Sequence, residues 1–308
     1  HTTEELIKKK AAGGEWKSLD LDYDKFGPLM NTNEILASEN NQLWLLMGSN
    51  SDIVAVEIDD AEIIRERSFE VRNGQGTNFD RVLCITEDLE GSIWVGTNKG
   101  PVIYSNPGEI FDVPVVEGYQ PAIPRNDGTN FASLLLASEQ INDIAVDGAN
   151  RKWVATQNSG VFLLSPDGRK ELLHFTEDNS PPFSNSVHTL SVNDITGEVF
   201  FGTEKGIIGY RAGATEAGDD FGDVYVFPNP VRETFRGEIT ITGLARDVNV
   251  KITDIAGNLV HETKALGGQA LWDGRNFQGN RVHTGVYLVF CTNEDGTKTY
   301  VTKLLFIH

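Results

Sequence analysis

One phrase returns along the first two thirds of the chain, and it limits the fold more than any other feature. Val82–Gly100 reads VLCITEDLEGSIWVGTNKG, Ile141–Gly160 reads INDIAVDGANRKWVATQNSG, and Val187–Gly206 reads VHTLSVNDITGEVFFGTEKG. Asn33–Gly48, NEILASENNQLWLLMG, is a weaker copy. The aromatic anchors Trp44, Trp94, Trp153 and Phe200 are 50, 59 and 47 residues apart, and Asp88, Asp147 and Asp194 each precede their anchor by six. A unit of this length that recurs in phase is the mark of an array of supersecondary modules.

Each copy has the same physical reading. A short alternating run (Val82, Cys84; Ile144, Val146) is an amphipathic strand. Asp followed by Gly or Asn makes a tight turn, because these residues tolerate left-handed backbone. The aromatic and β-branched run is a second strand, packed on both sides, so the repeat tryptophans belong to the core. Thr-Asn-Lys-Gly or Thr-Glu-Lys-Gly turns the chain into a third strand (Val102–Tyr104, Ile207–Tyr210), and a variable fourth follows (Phe69–Val71, Leu172–Phe175). Four short antiparallel strands per ~50 residues is a propeller blade. The chain therefore reads as all-β, with one short helix expected over Glu4–Ala12.

These phrases resemble the two-component regulator propeller repeat, D-x-x-G-x-x-W-V-G-T-x-x-G. Asp88, Gly91, Trp94, Gly96, Thr97 and Gly100 fit it fully. Asp194, Gly197, Gly202, Thr203 and Gly206 fit with Phe200 in place of Trp. The Ile141 copy departs from it, with Asn150 and Ala155 where the pattern has Gly and one extra residue before Gly160. At ~50 residues per blade, residues 1–222 supply four to five blades. The resemblance implies a closed propeller of about seven, and unclosed blades leave edges open. The expectation is a fragment of a longer seven-bladed propeller. Residues 1–30, with Trp16, are read as the end of a preceding blade, and 31–222 as propeller blades. The start at His1, without Met or a signal pattern, fits a processed or cut chain.

Charge divides the chain unevenly. Residues 1–222 hold 17 basic and 36 acidic residues, a balance of −19, while 223–308 hold nine of each. A surface this acidic excludes nucleic acid, whose phosphates need a basic face. Its plain reading is a solvated, self-repelling surface, and its sharper one a cation-binding or partner-steering face. No apolar stretch reaches the roughly 18 to 20 residues of a membrane-spanning helix. Two cysteines, Cys84 and Cys291, make no disulfide framework, and both lie in apolar strands as buried thiols.

Function on such a scaffold belongs to its loops. The tetrapeptide Gly-Thr-Asn-Phe stands at 76–79 and again at 128–131, the second inside an enlarged connection, Glu117–Glu139. That connection carries Tyr119, Arg125, Asn126 and Asp127. The hairpin tips Lys99 and Lys205 are expected on the same face. The candidate ligand or partner contacts are Lys99, Lys205, Tyr119, Arg125, Asn78 and Asn130. Set against these, a Gly turn pinned by a Phe, and lysines that only solubilise a tip, explain the same residues. Asp20, Asp22 and Asp24 have a spacing that suits structural calcium, but Lys25 and Asn31 stand where a calcium loop needs Gly and Glu. No other cofactor is indicated. The six histidines lack metal spacing, no nucleophile elbow or phosphate loop is present, and no enzymatic activity is expected.

The last 86 residues follow a different rule. A small-residue linker, Gly213–Gly218, is expected to be flexible. About seven short strands then recur from Val224 to Ile307, with a hairpin turn at Asp254–Asn258, as in an immunoglobulin-like sandwich over 223–308. Pro228-Asn-Pro230, Val250–Val260, Trp272–Asn276 and Gly285–Val289 resemble the C-terminal domain of type IX secretion cargo and the related flagellar-hook-cap Ig domain. A regulator-type propeller joined to this module resembles the PorZ family of type IX secretion components from Bacteroidetes. That resemblance implies a non-catalytic protein exported through the periplasm to the outer face of the outer membrane. It implies partners in the sortase PorU, PorV and PorQ, and binding of anionic lipopolysaccharide for presentation to the sortase. Two alternatives stand beside it. One is a secreted cargo protein with a glycan-binding propeller and a cleavable sorting domain. The other is the sensor domain of a hybrid two-component system, against which counts the absence of a transmembrane helix and kinase before His308. An acidic propeller should also repel an anionic glycolipid.

Overall fold

In the computed structural model, which describes residues 7–10, 16–19, 32–47, 52–59, 62–75, 79–124, 132–180 and 184–307, the recurring phrase becomes a recurring path of strands. Strands β1 (Ile7–Lys10) and β2 (Trp16–Leu19) pair antiparallel, with Ile7 opposite Leu19. This replaces the short helix expected over Glu4–Ala12. A nine-residue helix falls below the ~12–15 residues that hold alone in water, and a paired strand satisfies the same backbone.

The first copy forms a sheet of β3 (Thr32–Ser38), β4 (Gln42–Met47), β5 (Asp52–Asp59) and β6 (Glu62–Glu70), in that order. The second gives β7 (Val82–Glu87), β8 (Ile93–Thr97) and β9 (Gly100–Tyr104), and then leaves the pattern. A 3-10 turn at Pro107–Phe111 follows, since Pro107 has no N–H to give a ladder. In place of a fourth strand, Tyr119 makes one antiparallel bridge to Ile103. The enlarged connection adds a hairpin, β10 (Ala122–Pro124) with β11 (Ala132–Leu134). The third copy is four-stranded: β12 (Ile141–Val146), β13 (Lys152–Thr156), β14 (Val161–Leu164) and β15 (Glu171–Phe175). The fourth has β16 (Val187–Asn193), β17 (Glu198–Thr203) and β18 (Gly206–Arg211).

The fixed spacing of Asp before Trp has a direct cause. Asp88 Oδ1 accepts the N–H groups of Glu90 and Ser92, closing the turn, and Oδ2 accepts Trp94 Nε1–H at 2.9 Å. Asp147 closes its turn in the same way on Ala149 and Arg151. Three residues on, Gly91 (φ 79°) and Asn150 (φ 57°) take the left-handed conformation the turn needs. The weak first copy keeps the design with Ser38 at the Asp position and Asn41 (φ 58°) at the Gly position.

The last copy slips by one residue. Asn193 Oδ1, not Asp194, accepts the turn N–H groups of Ile195 and Thr196. Trp44, Trp94 and Trp153 are buried, but Phe200 is 38% exposed with its ring on Gly209. Phe201 is the buried residue here, its ring 5.7 Å from Trp153. Neighbours on a strand face opposite sides, so an aromatic one position later serves the other face.

Contact density divides the chain into two units. One is 1–146, 152–190 and 201–208; the other is 147–151, 191–200 and 209–308. Within the second, β19 (Tyr225–Phe227), β20 (Ile239–Thr242) and β23 (Gln269–Trp272) form one sheet. Strands β22 (Leu259–Lys264), β21 (Asn249–Asp254), β24 (Gly285–Thr292) and β25 (Thr299–Phe306) form the other. The inward residues Ile241, Val250, Ile252, Trp272, Val289 and Phe306 are buried between them. Tyr287 Oη donates to His283 O at 2.9 Å, a corner clamp of immunoglobulin type. The Pro-Asn-Pro motif ties down the last strand: Asn229 Nδ2 donates to Lys303 O and its Oδ1 accepts Leu305 N–H.

The linker is not the flexible segment its composition suggests. Gly213, Ala214 and Thr215 are buried. Gln269 Nε2 donates to Gly213 O, Thr215 N–H to Leu266 O, and Gly268 N–H to Thr215 O. A Cβ on Gly148 or Gly267 would lie 2.0 or 1.8 Å from Thr215 O. Small residues here let three backbones touch, which composition alone reads as freedom.

Candidate functional site

The expected contact Tyr119 is 42% exposed and held through its backbone to Ile103, whose N–H donates to Tyr119 O at 2.8 Å. The next residue, Gln120, is buried and donates through Nε2 to Lys99 O and Leu135 O. Tyr119 and Lys99 are therefore joined to one element. Beside Tyr119 a cleft of about 380 Å³ opens between β9 and the 106–119 excursion, where the four-stranded copies place a fourth strand. Apolar side chains (Ile103, Ile110, Val116) form its wall, and Glu109 and Glu117 stand on its rim. Tyr104, also lining it, is 4% exposed, and its hydroxyl is buried beside the Arg72 backbone. Burial pushes the Tyr104 phenol well above its usual range.

The two hairpin lysines are each matched by a carboxylate. Lys99 Nζ lies 3.6 Å from Asp80 and Lys205 Nζ 3.8 Å from Glu177. Neither is a free positive spot. Asn78, Arg125 and Asn130 lie outside the described residues, as does the Asp20–Asp24 run. Among the described residues, no three His, Cys, Asp or Glu side chains are grouped to hold a metal ion. Cys84 and Cys291 are both buried. Burial, with Asp143 and Glu34 nearby, drives the Cys84 thiol far up, and burial alone pushes Cys291 to about 12.

Three arginines gather at one corner of the sandwich. Arg281 Nη2 and Arg236 Nη1 both donate to Phe235 O, at 2.7 and 3.0 Å. Arg275 joins Arg281 through a backbone bridge. Two guanidiniums thus converge on one carbonyl. Within ion-pair distance the described residues give this trio a single carboxylate, Asp273, on Arg275. Desolvation, then the like charges of Arg236 and Arg275, lower the pKa of Arg281, and Asp273 works against them. The adjacent cavity, about 450 Å³, is lined by Arg281, Asn276, Asn280 and Phe277. Phe277 is 59% exposed and ends a stack that runs inward through His261 to Trp272. Sequence reasoning passed over this corner because 223–308 has a charge balance of zero; the sign lay in how its arginines cluster, not in the sum.

Comparison with known proteins follows both halves. A family model of the FlgD Ig-like domain matches residues 231–296. No curated protein matches the chain. Among solved structures the chain is similar to PorZ, an essential bacterial surface component of the type IX secretion system of Porphyromonas gingivalis. Identity is 27% and the TM-score 0.61, over 96% of this chain and 41% of that one. It is also similar to the extracellular domains of two putative hybrid two-component systems of B. thetaiotaomicron. These are 10% and 12% identical with TM-scores of 0.40 and 0.42, over 91% of this chain in each case and 37% and 51% of theirs. The chain thus spans about two fifths of the PorZ structure, and its similarity to a type IX surface component runs through both the blades and the sandwich.

Proposed function

We propose that the chain is the C-terminal part of a PorZ-like component of a type IX secretion system. In this reading it is a non-catalytic surface protein on the outer face of the outer membrane. It works beside the sortase PorU, PorV and PorQ and presents anionic lipopolysaccharide to the sortase. Residues 1–30 close an earlier blade, 31–222 belong to a longer, seven-bladed propeller, and 223–308 are the retained Ig-like module. The observation that carries the reading is the match to a type IX surface component across 96% of the chain, propeller and sandwich together.

The charge distribution supports one refinement. An anionic glycolipid is repelled by residues 1–222 and finds no unpaired lysine at Lys99 or Lys205. The Arg236, Arg275 and Arg281 corner, with Phe277 beside it, offers planar donors suited to phosphate or carboxylate. We assign the lipopolysaccharide contact there. Pull-down of purified lipopolysaccharide by the full chain should fall at least tenfold in R236Q/R281Q and stay unchanged in K99Q/K205Q. The reverse order, or no binding by the parent chain, rejects the assignment. Affinity isolation from outer membranes tests the complex: recovery of the sortase with PorV and PorQ supports it, and their absence removes it.

The Ig-like match taken alone also fits a secreted cargo protein with a cleavable sorting domain.

A further inference from the structure

In an antiparallel sheet with one side on the core, apolar and polar residues alternate along each strand. Strand β21 obeys this rule: Val250 and Ile252 are buried, and Lys251 between them is exposed. Its neighbour β24 does not. Val286–Cys291 reads VYLVFC, six apolar residues in a row, the pattern of a strand covered on both faces. Tyr287, Val289 and Cys291 fill the core. Val286, Leu288 and Phe290 therefore lie on the outer face.

The register extends this face onto β25, the edge of the sheet. Val286 stands beside Leu305, Leu288 beside Lys303 and Phe290 beside Val301. Val286, Leu305 and Val301 are 40%, 40% and 53% exposed. On the far side, Leu259 of β22 adds another exposed aliphatic in the row of Leu288. An apolar face that reaches an edge strand is a hazard when bare and an interaction site when matched.

The charges on the face say what can cover it. Lys251 lies 3.7 Å from Glu262, which also accepts Asn249 Nδ2. Among the described residues, Lys303 and Lys264 have no carboxylate within ion-pair distance. Lys303 stands on β25 between Val301 and Leu305, inside the apolar stripe. A second copy laid on by the same face brings lysines against lysines, and its Glu262 is already taken. A bilayer-docking face gathers about four to eight Lys or Arg, with Trp or Tyr at its rim. This face has neither the cluster nor those aromatics.

We propose that the outer face of β24 and β25 is the docking surface for a different protein. That partner lays an aliphatic surface over Val286, Leu288, Phe290, Val301 and Leu305, and sets a carboxylate on Lys303. The apolar run of β24 is then covered on both sides, as its sequence demands. The surface lies on other residues than the arginine corner and takes a protein, not a glycolipid.

The test is site-directed photo-crosslinking of the full-length protein in its own cells. Val286 or Val301 is replaced by p-benzoylphenylalanine, with exposed Glu294 as the control position. Positions 286 and 301 should give an adduct with one and the same other protein, at least fivefold above position 294. At equal surface amount, K303E should lower the adduct at least tenfold and K303R should keep it. The adduct peptide should carry an Asp or Glu whose change to Lys restores crosslinking to K303E. An adduct with a second copy of the chain, with lipid alone or with nothing overturns the proposal. So do different partners at 286 and 301, and indifference to K303E. The partner's identity is read separately: a protein outside PorU, PorV and PorQ leaves this surface standing and counts against the attachment-complex reading.

Discussion

The blades and the sandwich bury polar groups in opposite ways. In the blades a lysine crosses the core: Lys152 is fully buried, with Nζ 2.9 Å from Asp88 Oδ2, 2.6 Å from Pro166 O and 4.9 Å from the centre of the Trp94 ring. One strand of the third copy thereby ties to the turn of the second. In the sandwich the core is apolar, with Trp272 against Tyr287 and Phe306, and the polar residues buried with it, Thr240, Thr253 and Gln269, are uncharged. The blades repeat one turn and specialise it with side-chain chemistry. The sandwich is closed by shape and specialises its loops.

The sharpest way to break this contrast is to remove one partner of the buried pair. Lys152→Met leaves the Asp88 carboxylate buried with its N–H donors but without its cation, which costs about 3–5 kcal/mol. Hydrogen exchange should show that loss in residues 79–180 and little change in 249–307. Uniform loss, or none, denies the pair this role. The mirror experiment is Trp272→Ala, expected to cost about 3–5 kcal/mol as a core cavity and to be felt in the sandwich strands. Gly267→Ala comes next. Its φ of 64° and the 1.8 Å approach of Thr215 O force two backbones apart. We expect about 2–3 kcal/mol, together with new cleavage at Glu216 by a glutamyl protease. Unchanged resistance would show that the linker is held by other means.

The smallest effect separates Asp88 from Asp194, which share a repeat position. Burial works against ionisation at Asp88, but Lys152 and the Trp94 and Ser92 N–H groups outweigh it and hold its pKa below the usual value. Its contribution is present above the unfolded carboxylate value of about 3.9 and is lost as pH falls through the lower folded value. At Asp194, an exposed residue, partial desolvation, then Glu216 and Asp147, raise the pKa. This carboxylate therefore opposes folding at neutral pH, and the opposition fades as pH falls through its raised folded value. Asp194→Asn should raise the thermal midpoint by about 1 °C at pH 7 and by nothing at pH 3. A drop at pH 7 would place Asp194 in a stabilising contact instead.

What was legible in the sequence follows the same division. The blades could be read because Asp, Gly and Trp recur with one chemical job each, and the Asp88 and Trp94 bond shows why the interval is fixed. The sandwich could be read strand by strand from alternation and from turns such as Asp254–Asn258, where Asp254 caps Ala256 and Asn258. The slip at Phe200 was hidden because Asn193 and Asp194 are both competent turn formers and Phe200 and Phe201 are both aromatic. The missing fourth strand after β9 was signalled only by Pro107. Among the candidate contacts, Tyr119 is placed at a cleft, and Lys99 and Lys205 are placed against carboxylates. The arginine corner depends on Phe235, Arg236 and Arg281, residues far apart in sequence, which no local pattern brings together.

Retention of the Ig-like module separates the proposed surface component from a cargo protein. The most direct test is intact-mass and peptide analysis of the protein released from the surface of intact cells. The account predicts one chain that carries both blade peptides from 79–180 and sandwich peptides from 249–307. A surface form that ends within residues 213–223, with the sandwich lost, would contradict it and make the chain a cargo protein.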